Sequence, residues 1–161
     1  MLDTGINDAP SGPFPGHHAL LGKVAGGAKF EGPGPAGYTA WNASVNPAQN
    51  AGGLSGYHGT HVAGTIAGLN PGHLLSGVAP DATLLDVKVL SDQGIGYGLA
   101  EGLEWCVQNA STLWPGGAAG IQVINLSLSG LDESDGTDCV SALVDAAADA
   151  GIVVVAAMGN E

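Results

Sequence analysis

Three short apolar-rich runs constrain this chain more than anything else in it: Thr83 to Leu90 (TLLDVKVL), Ile121 to Leu128 (IQVINLSL) and the continuously apolar Ile152 to Ala157 (IVVVAA). Each has the length of a strand. Near-continuous apolar strands separated by helical segments argue for a parallel sheet covered on both sides. Helix-like segments lie between them, from about Leu99 to Asn109 and from about Cys139 to Ala150, the second closed by Gly151. Right-handed crossovers stack these two helices on one side of the sheet. A further small-residue helix is expected from Thr60 to Leu69, stopped by Gly68, Pro71 and Gly72. The fold class is therefore open α/β, and in such sheets chemistry gathers at the carboxyl ends of the strands.

The 161 residues are about one domain of chain. Residues 57–161 carry the α/β pattern. Residues 8–56 are rich in Gly, Pro, Asn and Ser, with turn pairs such as Pro15-Gly16 and Pro33-Gly34, and read as a loop-rich insertion with at most a short strand near Leu20 to Val24. Fifteen acidic residues face three lysines and no arginine. That balance excludes nucleic acid and anionic membranes as partners, since phosphate recognition needs a cationic face. No apolar run is long enough to span a bilayer, and no signal peptide opens the sequence. Cys106 and Cys139 match no zinc spacing and are expected on parallel helices too far apart to bond, so both read as free thiols.

Three segments sit where chemistry is expected. Leu2-Asp3-Thr4-Gly5-Ile6 places an acid before a glycine turn; His58-Gly59-Thr60-His61-Val62-Ala63-Gly64-Thr65 places a histidine at the mouth of a buried helix; and Ala156-Ala157-Met158-Gly159-Asn160-Glu161 brings an Asn amide off an apolar strand. Their sequence and order resemble the subtilisin family of serine endopeptidases, the subtilases, and the strand and helix texture is similar along nearly all of residues 57–161. The resemblance implies a subtilisin-like parallel sheet with helices on both faces. It implies peptide-bond hydrolysis by an Asp-His-Ser triad, with Asp3 as the acid, His58 as the general base and Asn160 as the oxyanion donor. His61 would pack in the helix.

By the same resemblance, Ser127-Leu128-Ser129-Gly130 would pair with an extended polypeptide substrate. Tyr97 in the Gly94 to Gly98 loop would form the opposite wall, and Ala157 and Gly159 one side of the primary specificity pocket. Ser129 stands where the family often has Gly, which would narrow the cleft. No cofactor is implied for the chemistry. A structural calcium belongs to the parent enzymes, but Pro71 and His73 in the Leu69 to Gly77 loop count against a site there, and no metal ligands are assigned. Asp132, Glu133, Asp135 and Asp138 read as helix-dipole partners rather than as a calcium cluster. The Asn42-Ala43-Ser44 sequon would matter only in a eukaryotic secretory setting.

None of the ten serines lies in the G-T-S-M-A-type context in which subtilases hold the nucleophile. The expectation is thus a partial catalytic domain, short at both ends of the fold and inactive alone, drawn from an extracellular or cell-envelope parent and completed by a C-terminal segment carrying the serine. A non-catalytic peptide-binding or decayed protease module is the alternative. An unrelated small-molecule-binding domain would not have three family segments in family order.

Overall fold

The computed structural model describes residues 1–10, 16–32, 37–40, 57–70, 72, 75–96, 98–130 and 134–160. The elements in chain order are β1 (Leu2–Asp3), β2 (Val24–Phe30), β3 (Tyr38–Ala40), α1 (His58–Ala67), β4 (Leu69–Asn70), β5 (Leu75–Ser76), β6 (Leu84–Lys88), α2 (Leu99–Gln108), β7 (Val123–Leu126), α3 (Cys139–Asp149) and β8 (Val153–Ala156). Six strands form one sheet in the order β3-β2-β6-β1-β7-β8, and β4 pairs with β5 in a small separate hairpin. Among the described residues only β3 runs antiparallel in the main sheet; β1, β2, β6, β7 and β8 are mutually parallel.

Helices cover both faces, and strand periodicity decides which side chain meets which helix. On β6, Val87 and the following Val89 join Leu2, Ile124 and Leu126 under α2 and α3, which contribute Leu103, Cys106 and Ala147. Leu84 points the other way, with Met1, Ile6 and Leu20, into a second cluster closed by Ala63 and Ala67 of α1. Asp86 and Lys88 alternate with Val87 and therefore share the α1 face with Leu84. The two helices expected on one side, α2 and α3, do pack together there, and α1 lies opposite.

Two readings of the sequence are corrected. The 8–56 stretch is not all irregular, because β2 and β3 lie inside it and β2 joins β6 in parallel register, Ala28 beside Val87 and Lys29 beside Lys88. The strand begins at Val24 instead of ending there. Its sequence, VAGGAKF, hid it: the two glycines break the apolar pattern, and at Gly26 the space of a side chain is taken by the Trp114 ring. The helix expected over Thr60 to Leu69 begins two residues earlier, at His58, and ends at Ala67, where Gly68 turns out of helical geometry (ψ 139°) into β4. Cys106 is buried and Cys139 exposed, and both are free thiols. Burial pushes the Cys106 thiol up to about 11.

Candidate active site

β1, β7 and β8 are neighbours running the same way, so Asp3, the Ser127–Gly130 segment and the Ala157–Asn160 segment all emerge at one carboxyl edge. Asp3 is fully buried on the α1 face. The helix delivers His58 to it: Nδ1 lies 2.8 Å from Asp3 Oδ1. An ionised carboxylate only accepts, so Nδ1–H is the donor and Nε2 is left as the basic nitrogen. The His58 side chain is 46% exposed while that of Asp3 is 0% exposed, so the acid is sequestered and the imidazole is reachable from solvent.

Local sequence explains the precision of this contact. The Thr4 N–H donates to Asp3 Oδ1 (2.7 Å), and the Thr4 hydroxyl accepts from Gly59 N–H (3.0 Å), satisfying a free donor in the first turn of α1. No side chain caps α1 at Tyr57, so Thr4 serves as its cap from another element. A β-carbon at Gly59 would lie 2.4 Å from the Gly5 carbonyl and 3.1 Å from Asp3 Oδ1, so only glycine lets the helix start this close to the acid. Asn7 N–H donates to Thr60 Oγ1 (2.9 Å) and Ile6 N–H to Asp86 Oδ2 (2.9 Å), pinning the turn that follows Asp3. Asp86 is itself fully buried, and burial raises its carboxyl well above the ordinary range despite the Ile6 N–H.

At the neighbouring strand ends, Ala157 N–H donates to Leu126 O (2.9 Å) and Asn125 Nδ2 to Ser127 Oγ (3.0 Å). The Ser129 side chain lies 3.9 Å from where a Gly159 β-carbon would be, so the two segments expected to line the cleft stand side by side. Ser129, Gly130, Ala157, Gly159 and Asn160 are exposed; Ser127 is half-buried, and Leu128 packs partly against the core, so its side chain is spent on the sheet. Asn160 follows β8, two strand positions from β1, about 10 Å across the edge at ordinary strand spacing. Tyr97, Pro71, His73, Asp132 and Glu133 lie outside the described residues, as does the Asn42 sequon. Asp138 caps α3, accepting from Val140 and Ser141 N–H, which is the dipole role expected of it. No three His, Cys, Asp or Glu among the described residues are grouped to hold a metal. None of the described helices is long and apolar enough to cross a membrane.

Thr4, Asp86, Lys88 and Asp92 were not singled out as site residues by the sequence. The signal that marks Asp86 and Lys88 is the pair of charges inside an otherwise apolar strand, LLDVK.

Fold and pair together define an α/β protein with a buried carboxylate 2.8 Å from a solvent-facing imidazole. The family profile described as the Subtilase family matches residues 1–161, and the chain belongs to that family of serine proteases. It is 44% identical over 106 residues to Subtilisin E of Bacillus subtilis, covering 65% of this chain and 24% of that protein. It is 35% identical over 162 residues to the Thermostable alkaline protease of Halalkalibacterium halodurans, covering 99% of this chain and 34% of the relative. The solved structure of Sphericase superposes with a TM-score of 0.71 at 30% identity, covering 99% of this chain and 44% of that one. The chain thus spans about a quarter to a third of the curated relatives it matches.

Proposed function

We propose that this chain supplies the acid, the base and the oxyanion donor of a subtilisin-type serine endopeptidase. The observation that carries the reading is the 2.8 Å contact between a fully buried Asp3 and a half-exposed His58. A serine hydroxyl placed at Nε2 loses its proton to the imidazole as its oxygen attacks the peptide carbonyl; the imidazolium that forms is stabilised by Asp3 and then protonates the leaving amine. Asn160, exposed at the same edge, donates its amide to the oxyanion. In subtilisin, the relative from which the magnitude comes, that donor is worth about 3 to 4 kcal/mol.

An extended polypeptide pairs with the backbone of Ser127–Gly130, and Ala157 and Gly159 line the pocket for the side chain next to the scissile bond. No cofactor takes part in the chemistry. The nucleophile comes from a segment other than these 161 residues, since none of the ten serines has the required context. The 161 residues alone therefore lack about six orders of magnitude of turnover, the loss subtilisin itself shows without its serine. The complete enzyme acts outside the cell.

A fluorophosphonate probe tests this. The isolated chain is expected to stay unlabelled, and to enter a labelled complex once the serine-bearing remainder of a relative is supplied. Stoichiometric labelling of the isolated chain would overturn the assignment.

A further inference from the structure

Lys88 is the least expected residue beside the site: a cation whose side chain is 4% exposed, in the central strand β6. Register puts it directly beside Asp3, and alternation puts both on the α1 face. Its Nζ donates to two acceptors, the Thr4 carbonyl and Asp92 Oδ1, the latter at 2.8 Å. Thr4 is thereby held in three directions. Its N–H goes to Asp3 Oδ1, its hydroxyl takes the Gly59 N–H, and its carbonyl takes the Lys88 ammonium.

The next residue makes such ties necessary. Gly5 has φ +99°, a conformation that glycine enters and leaves at little steric cost, so the turn after Asp3 is not rigid by itself. Asp92 belongs to the 91–96 loop, a turn closed on itself: Ser91 N–H donates to Ile95 O and Ser91 Oγ accepts from Gln93 and Ile95 N–H. A buried ammonium needs both a counter-charge and full hydrogen bonding. Here those needs connect that loop to the peptide that aims the acid.

We propose that Lys88 is a positioning residue for the Asp3–His58 pair: its ammonium, anchored by Asp92, fixes the Thr4 peptide whose N–H holds Asp3 Oδ1 towards His58. The inference rests on the protease reading only for what the pair is used for, because its content is the geometry of the pair.

The test is nuclear magnetic resonance of the ¹⁵N-labelled 161-residue chain, following the His58 Nδ1–H proton, whose shift and solvent exchange report the hydrogen bond to Asp3. In Lys88→Met, which keeps the apolar stem, that proton is expected to move upfield and exchange about tenfold faster or more, the scale of losing a charged hydrogen bond. Lys88→Gln, which retains an N–H donor for Thr4 O, is expected to fall between Met and wild type. Slow amide exchange at Ile124 and Val154 certifies that the sheet is intact. An unchanged His58 proton in a folded Lys88→Met chain overturns the proposal. Where Lys88→Met does not fold, Asp92→Ala decides: the same shift in smaller degree supports the proposal, and no shift overturns it. A shifted proton in a chain that never hydrolyses peptide with a serine-bearing complement would defeat the protease reading and leave this one standing.

Discussion

Asp86 lies beneath α1 with Oδ2 accepting from Ile6 N–H and Oδ1 buried without a partner among the described residues. Burial, reinforced by Asp8, raises its carboxyl well above the ordinary range, while the Ile6 N–H and Lys88 pull the other way. A raised native value means that the folded chain binds this proton more tightly than the unfolded chain, so stability falls as pH climbs from the ordinary carboxylate range through the raised one. Asp86→Asn keeps an acceptor for Ile6 and cannot ionise. It should match wild type near about pH 4 and exceed it near about pH 8 by on the order of 1 kcal/mol, a rise of roughly 2–4 °C in Tm. Calorimetry at the two pH values checks this, and equal Tm values at the higher pH would refute it. Asp3 and His58, which the structure brings together, were legible because each sits in a motif contiguous in sequence. The residues holding them were not, since Ile6 and Asp86, or Lys88 and Thr4, are 80 or more positions apart and meet only through strand register.

The strands and helices after residue 80 were readable to within two or three residues at their ends, because apolar runs and helical runs alternate without exception there. β2 was not, since Gly26 and Gly27 remove the side chains on which the pattern depends. The α3 start illustrates a device that composition does reveal: an acid just before a helix. Asp138 accepts from Val140 N–H (2.8 Å), Ser141 N–H (3.0 Å), Ser141 Oγ and Ser134 Oγ, and these hydroxyls, Ser134 first, hold its carboxyl below the usual range. A lowered native value contributes stability above the ordinary carboxylate range, and that contribution is lost as pH falls through the native value. Asp138→Ala should fray α3 and lower Tm by about 2–4 °C at neutral pH, whereas Asp138→Asn, which still caps, should lose much less. Equal losses in the two variants would show that the side chain does not act as a cap.

Across the molecule, one arrangement makes the site: three parallel neighbours, β1, β7 and β8, end at the same edge, and α1 brings His58 to it from the opposite face to α2 and α3. The strand order was not deducible from the sequence, which has β1, β6, β7 and β8 far apart along the chain, but the rule placing chemistry at carboxyl ends anticipated that the Asp3 and Asn160 segments would leave the sheet at the same edge. The proposed activity rests on the Asp3–His58 pair as the acid and base of a subtilase. The most direct measurement is peptide hydrolysis by a chimera in which residues 1–161 replace the matching part of the Halalkalibacterium halodurans alkaline protease, compared with the same chimera bearing His58→Ala. The chimera should hydrolyse peptides, and the substitution should lower kcat by about six orders of magnitude, the loss known for the base of subtilisin itself. Hydrolysis that persists undiminished in the His58→Ala chimera would contradict the assignment of the base.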